Sequence, residues 1–386
     1  MPGDTSHFHS PPAASLNPAS VKRAYMPGCG EKLAKLTSGS QYDVCMPGEC
    51  MQMLTSSACI TYNQNASGCN RMLKVLLHGS CSYDCAYCPV RVDRSRLSFA
   101  PRELAETFFG LYRKNLVGGL FLSSGIPYDT DDVMSELIET ARILRNEGYA
   151  GYLHLKILPG AQRPDINEAA QLADRISLNV ETTGESRLRA LSGIKDYAGD
   201  IIKRLGWIAE AAPGHHTTQL VIGAAGETDR EIFNCVTALY ERMLPSRIYY
   251  SAFKALPKTR LASRESTPAW RSRRWYQMDY LIREYGFNRT ELLPLLEDCG
   301  TLQNDDPKAL LARGREPVDP NVASFADLVH VPGIGTVTAR AIIQTREHRT
   351  IRTPRDLGVP GSCLKRALPY LAFSGAARQA TLAGFH

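Results

Sequence analysis

The sequence predicts an α/β fold, a partial barrel of six strand–helix units, with a small all-α domain at the C-terminus. Three observations carry this prediction. Short apolar runs alternate with amphipathic, helix-length stretches between about residues 71 and 257. Three cysteines cluster directly after the first apolar run, at the strand end where such a fold gathers its ligands. Far downstream, Pro332-Gly-Ile-Gly335 separates two helix-like stretches.

The expected strands are Leu73–Leu77, Gly119–Ser123, Tyr152–Ile157, Ile176–Val180, Gln219–Gly223 and Ile248–Phe253. The expected helices between them are Arg102–Asn115, Asp131–Glu147, Asn167–Ala173, Ala198–Ala211 and Asp229–Glu241. Strands separated by helices of this length imply βαβ units and a parallel sheet. Right-handed crossovers curl six such units into a partial (β/α)6, TIM-like barrel.

The 386 residues and 44% hydrophobic content suit such a core plus smaller attachments. No apolar run approaches membrane-spanning length, so no span and no membrane partner are expected. Residues 1–25 are rich in Pro, Ser and Ala, lack the features of a secretory signal and read as a disordered tail. Eleven cysteines in a chain of this length argue for a reducing cytoplasmic location rather than disulfides. The organisation expected beyond the tail is a Cys-rich extension over 26–70, the barrel core over 71–260, a helical linker over 261–318, a helical hairpin domain over 319–372 and a tail over 373–386.

Cys81, Cys85 and Cys88 lie in His78-Gly-Ser-Cys-Ser-Tyr-Asp-Cys-Ala-Tyr-Cys-Pro89. Three thiolates on one loop suit an iron–sulfur cluster. A cubane has four irons, so three ligands leave one iron open to a small molecule, which marks an enzyme rather than an electron carrier. Zinc is the competing reading, but it wants four ligands, usually in paired motifs. The spacing here is x3 then x2 with no second pair downstream, although His78 stands near enough in sequence to complete a tetrahedron. Three unrelated buried thiols are the remaining reading.

Cys81-x3-Cys85-x2-Cys88 after a first strand resembles the signature of the radical S-adenosylmethionine (radical SAM) superfamily. The resemblance implies a [4Fe–4S] cluster on the three cysteines, S-adenosylmethionine on the open iron, an electron donor, and cleavage to a 5′-deoxyadenosyl radical that abstracts hydrogen. Tyr87, before the last cysteine, matches the aromatic residue near the adenine. Ser123, Ser124 and Gly125 stand where the superfamily contacts the methionine amino group, though Gly125 also reads as a turn glycine. Lys156 suits the cofactor carboxylate or an ordinary salt bridge. Asn179 and Glu181 share one strand face by period two and suit the ribose hydroxyls or a polar strand end. Gly223 and Gly226 let backbone approach a ligand closely and resemble the motif supporting the adenine. Neither a phosphate loop nor a dinucleotide fingerprint fits them.

Residues 325–343 read as two helices around Pro332-Gly-Ile-Gly335 and resemble a helix-hairpin-helix module. Gly333 and Gly335 would expose amides at a helix N-terminus to a phosphate, with Ile334 as buried anchor. From Val331 to Ala372, seven basic side chains, Arg340 among them, oppose Glu347 and Asp356. Such a patch gives sequence-independent affinity for DNA or RNA. A structural or protein-contact hairpin with a solvated basic face is the alternative.

Cys45, Cys50, Cys59 and Cys69 fall just before the first strand and form either an auxiliary metal site or unrelated thiols. Taken whole, from about Glu31 to Leu371, the chain resembles the radical SAM proteins grouped under DNA modification or repair. The resemblance rests on Tyr42-Asp-Val, the cysteine motif, Gly119-Leu-Phe-Leu-Ser-Ser-Gly125, His154-Leu-Lys156, Gly223-Ala-Ala-Gly-Glu, Tyr276-Gln-Met-Asp and the hairpin turn. It implies DNA as substrate and a uracil-DNA-glycosylase-like partner. It departs at Cys45-Met-Pro-Gly-Glu-Cys50, where a stretch of different composition is expected. Candidate hydrogen donors are Cys45, Cys50, Tyr42 and Tyr276. The alternatives are radical chemistry on a small molecule, peptide or RNA, with the hairpin for docking, and a non-catalytic iron–sulfur protein that binds nucleic acid.

Overall fold

The computed structural model of the chain describes residues 29–42, 52–55, 58–65, 68–93, 96–296 and 300–373. The expected N-terminal tail, Cys45 and Cys50, and the C-terminal tail after residue 373 lie outside the described residues, as do the side chains of Tyr42, Cys59 and Cys69. The chain divides into two compact units at Ala269 and Trp270, inside the stretch expected as a linker.

The first unit is built on one eight-stranded sheet with its strands in sequence order. β1 (Gln52–Thr55), β2 (Ala58–Asn65) and β3 (Gly68–Leu76) pair antiparallel. From β3 onward six strands run parallel: β4 (Gly119–Ser123), β5 (Tyr152–Lys156), β6 (Arg175–Ser177), β7 (His216–Ile222) and β8 (Arg247–Ala252). With their helices these six form a half-barrel. β4 is buried along its whole length, which explains its unbroken apolar run.

After a short helix α2 (Pro89–Asp93), the crossovers are α3 (Pro101–Arg113), α4 (Thr130–Asn146), α5 (Arg163–Leu172), α7 (Lys203–Ala211) and α8 (Asp229–Arg242). Their ends are where the sequence supplies caps. Asp129 accepts from Asp131 N (2.8 Å) at the start of α4, and Thr228 and Glu231 form a capping box on α8. Each such cap contributes about 1 kcal/mol. α4 buries Leu137, Ile138, Ala141 and Leu144 as a single stripe.

Three features differ from the sequence expectation. The Cys-rich extension holds β1 and β2, which lengthen the sheet, and a helix α1 (Cys29–Gly39) that buries Leu33 and Leu36. A short helix α6 (Glu185–Leu191) precedes a π-helical turn at Tyr197–Ile202. β6 stops at Ser177 instead of Val180. There the Val180 amide donates to Thr218 Oγ1 (2.9 Å) rather than to a ladder. Thr182 N then bonds back to Val180 O (2.8 Å) around Glu181, whose φ is 66°. A tight turn with a left-handed glutamate at its centre is strained, and such strain concentrates at functional sites.

The second unit is helical in its described part. It comprises α9 (Ala269–Arg283), α10 (Arg289–Leu292), α11 (Pro307–Ala312), α12 (Phe325–His330), α13 (Thr336–His348) and α14 (Gly361–Ala367). A bridge between Val318 and Leu371 closes it. Trp275, Leu292, Leu328, Ile334, Ala339 and Ile342 are buried.

Candidate active site

The loop after β3 is held by backbone bonds from three directions. Gly79 N donates to Leu97 O (2.9 Å), Ser82 N to Ile126 O (2.6 Å) and Ala86 N to Leu191 O (2.7 Å). Asp84, between the first two cysteines, accepts from Ser192 Oγ and from Gly193 N (2.9 Å). Burial raises the Asp84 pKa, but the bonds from Ser192, Gly193 and Ile194 outweigh it and hold the carboxyl below its ordinary value. A loop carrying three thiols is thus fixed by contacts outside the thiols themselves.

Gly125 is a close-approach glycine, not a turn glycine. A Cβ there would stand 2.2 Å from Ser80 O and 3.1 Å from His78 O. The loop after β4 therefore packs backbone to backbone against the cysteine loop, and Gly125 N donates to His78 O (2.9 Å).

Cys81, Cys85 and Cys88 line a cavity of about 370 Å³ at the carboxyl ends of the strands. Tyr87, Ser123, Ser124, Gly125, Lys156, Asn179 and Glu181 line it too. Lys156 Nζ donates to Asn179 Oδ1. Residues from five successive strand ends and the cysteine loop thus meet around one space, with α1 adding Gly39 at its edge. Pockets of this volume suit a small-molecule cofactor.

Lys195 is the main residue that the sequence did not point to. It sits in an irregular loop after α6, where no periodicity or motif marks it. Its side chain is 6% exposed, lines the cavity and stands 3.2 Å from Glu181 Oε1. Burial pulls its pKa down, but the neighbouring Cys85 and Glu181 reverse that and hold it above the ordinary lysine value. Burial and the Glu181 carboxylate push the Tyr87 hydroxyl up. Tyr83 also lines the cavity, donating to Pro159 O (3.2 Å).

Residues 75–238 match the family model of the Radical SAM superfamily. The first unit carries a radical SAM domain. A domain of this kind implies a [4Fe–4S] cluster and S-adenosylmethionine. In fold the chain is similar to a crystal structure of HydG, a maturase of the [FeFe]-hydrogenase (TM-score 0.46, 11% identity, 55% of this chain and 49% of that one). It is also similar to coproporphyrinogen III oxidase from Escherichia coli, a radical SAM enzyme (TM-score 0.37, 14% identity, 55% and 51%), and to methylornithine synthase (TM-score 0.42, 14% identity, 49% and 55%). The chain spans about half the length of each of these structures. No curated protein matches it by sequence.

The donor set of the radical SAM domain fits a cluster. All three cysteines are free thiols. Burial, then the neighbouring Cys85, pushes the Cys88 thiol up to about 12, and burial likewise raises Cys85. A metal bound at these thiols would hold them as thiolates. A mononuclear zinc site needs several ligands converging on one point. Among the described residues no group of three or more His, Cys, Asp or Glu, the three cysteines included, is already gathered to hold a metal ion. His78 in particular is engaged elsewhere, with Nε2 2.5 Å from Glu136 Oε2.

Gly223 and Gly226 are not among the residues that line the cavity. Gly223 and Gly226 lie in the turn beyond β7 with φ of 87° and 71°, while β7 faces the cavity through Gln219 and Val221. The Glu227 carboxylate accepts from the amides of Gly223 and Ala225, so the turn is closed by its own chain. Tyr276 is on α9 of the second unit. No auxiliary metal site is found among the described residues, and no described helix is long and apolar enough to cross a membrane.

Residues 314–359 match a helix-hairpin-helix motif. Its turn is tightly determined. Gly333 has φ 87°, and a Cβ there would stand 2.3 Å from Cys363 O. Gly335 is the N-cap of α13, and Ile334 is fully buried. Lys308, also buried, donates through Nζ to Ile334 O. Arg340 is exposed, with its guanidinium 5.8 Å from the Phe325 ring centroid. Arg346 belongs to the frame rather than to a free basic face, donating to Pro320 O (3.2 Å) and Ala323 O (2.6 Å).

Proposed function

We propose that the chain is a radical SAM enzyme acting on DNA, by base modification or lesion repair, in the cytoplasm. The observation that carries the enzyme half is the thiol triplet on a braced loop, opening onto a cavity rimmed by polar strand ends. Cys81, Cys85 and Cys88 would hold the cluster. The backbone at Ser123, Ser124 and Gly125 would receive the amino group of the methionine moiety, Lys156 its carboxylate, Asn179 and Glu181 the ribose, and Tyr87 the adenine, with Gly223 and Gly226 supporting the wall behind it. Bound there, the cluster and cofactor supply hydrogen-atom abstraction, given an electron donor. Cys45, Cys50, Tyr42 and Tyr276 are the proposed hydrogen-donor candidates, and a uracil-DNA-glycosylase-like protein the proposed partner.

The protein's own contribution is confinement and charge. The cavity is walled by Leu76, Ile157 and Leu178, which keeps water from a reactive species. Buried Lys195 sets a cation beside Cys85, where a cluster held by three thiolates carries negative charge.

DNA as substrate is supported by the hairpin motif and by the excess of cations around it. Amides at the start of α13 would take a backbone phosphate without reading bases.

Two measurements test the halves separately. Anaerobic reconstitution should give broad visible iron–sulfur absorbance and reductive cleavage of S-adenosylmethionine to 5′-deoxyadenosine, and neither appearing would end the radical reading. Arg340→Gln should weaken duplex binding across sequences and lower the salt slope by about one unit. An unchanged slope would remove the hairpin from DNA contact.

A further inference from the structure

The carboxyl end of β8 carries cations to which the cofactor reading gives no part. β8 ends at Ala252, and Lys254 and Leu256 beyond it line the same cavity as the three cysteines. Between Lys254 and Thr267 the cations are Lys254, Lys258, Arg260 and Arg264, against the single carboxylate of Glu265.

This segment is an ordered loop fastened to its surroundings. Thr267 N donates to Phe253 O (2.9 Å) and Ala255 N to Ser266 Oγ (2.9 Å), which brings its two ends together. Compact loops of this form are frequently functional. Thr259 is buried, and its hydroxyl donates to Leu256 O (2.7 Å). Ala255 and Leu261 pack on the core cluster of Leu191, Val221 and Phe253, which Tyr87 also joins. Leu261 N donates to Ala86 O (3.3 Å), and the Arg260 guanidinium stands 3.6 Å from Asp84 Oδ2. Both contacts tie the loop to the segment that carries the cysteines. Arg264 donates to Ala224 O (3.0 Å) in the turn beyond β7.

With those residues turned to the protein, the loop presents Lys254 and Lys258 to solvent. Neither has a hydrogen bond or ion pair among the described residues. Lys258 has φ 67°, a conformation that a lysine adopts at a steric cost. Such costs concentrate at functional positions. The loop after β4, whose Ile126 lines the cavity, leads instead into Asp129, Asp131 and Asp132. A polyanion is therefore steered to the β8 side of the cavity. Lys254 lines the cavity and Lys258 does not. Cations placed in and beyond the cavity suit a ligand that itself runs on beyond it, as a nucleic-acid backbone does.

We propose that the loop over 254–266 is a nucleic-acid contact of the radical SAM domain. Lys254 and Lys258 take backbone phosphates flanking the nucleotide at the cavity, and Arg260 holds the loop on the cysteine segment. The inference rests on the reading of the chain as an enzyme acting on DNA, and it names the contact that brings the strand to the cavity.

The test combines lysine footprinting with salt-dependent binding of duplex DNA, both on the reconstituted full-length protein. Acetylation of Lys254 and Lys258, read residue by residue by mass spectrometry, should slow when duplex is bound. The double variant Lys254→Gln, Lys258→Gln should lower the salt slope of duplex binding by about two units. The charge-keeping double variant Lys254→Arg, Lys258→Arg should retain the wild-type slope. An unchanged slope in the Gln double variant, or equal acetylation with and without duplex, would overturn the inference. Equal protection by polyglutamate would overturn it too, since the loop would then be a general anion surface. Circular dichroism and cluster absorbance report whether the variants fold. If the Gln double variant does not fold, the wild-type footprint decides alone. Duplex binding that leaves both lysines reactive defeats this inference alone, whereas no duplex binding at low salt defeats the DNA reading beneath it as well.

Discussion

At Gly125 the packing leaves room for a hydrogen atom and nothing larger. The neighbour a methyl would strike is the Ser80 carbonyl, just ahead of Cys81. Gly125→Ala should therefore move the cysteine loop rather than unfold the sheet, at a cost of about 1–3 kcal/mol. Iron and sulfide analysis should find less than half the wild-type content, and full loading would show that the loop yields freely. Lys195 and Glu181 make a second residue-scale case. Lys195→Met would strand a buried carboxylate, a loss of about 3–5 kcal/mol in denaturant unfolding. Adding Glu181→Gln should restore most of it, because the orphaned charge is gone. Stability that stays low in the double variant would mean that the pair's packing, not its charge, is what matters. Neither residue's partner was legible in the sequence. Lys195 and Glu181 are 14 positions apart with a helix between them.

Elements differ in how far their own residues specify them. The hairpin is local: Ser324 caps α12 with Asp327, the turn needs Gly333, and the apolar positions of α13 recur at helical spacing. It forms where the sequence places it. β6 shows the opposite. Ile176–Val180 is apolar enough for five residues of strand, but Thr218 takes the Val180 amide and interrupts the ladder, which resumes only as a single bridge at Glu181. Lys308 gives the hairpin unit a pH signature. Burial lowers its pKa to about 7, with Arg366 adding and Asp306 opposing. Between that value and the ordinary 10.5, the unfolded chain holds a proton that the folded chain does not. Unfolding then takes up a proton, so stability rises with pH across this window by about 1.4 kcal/mol per unit from this group. It is lost again as pH falls toward 7. Lys308→Met should flatten the rise in melting temperature between pH 7 and pH 9. An identical slope in the variant would assign the effect to other groups.

For the whole molecule, two compact units imply two stabilities. A cluster bound to the folded first unit would stabilise that unit alone by mass action. Oxidative removal of the iron should lower the first unit's unfolding midpoint and leave the second unit's hydrogen-exchange protection unchanged. A loss of protection in both would show that they unfold as one. The sequence by itself determined the half-barrel, the cysteine loop at its first strand end and the helical hairpin. Each of these is written in short-range terms: the period of apolar residues, the spacing of three thiols, and glycines where a turn needs them. The tertiary structure alone decided what surrounds them. It set Lys195 beside Cys85, brought the Ser80 backbone against Gly125, and aligned Lys74, His154 and Arg175 on one face. Such neighbours are fixed by strand register and loop packing across scores of residues, and no local pattern encodes them.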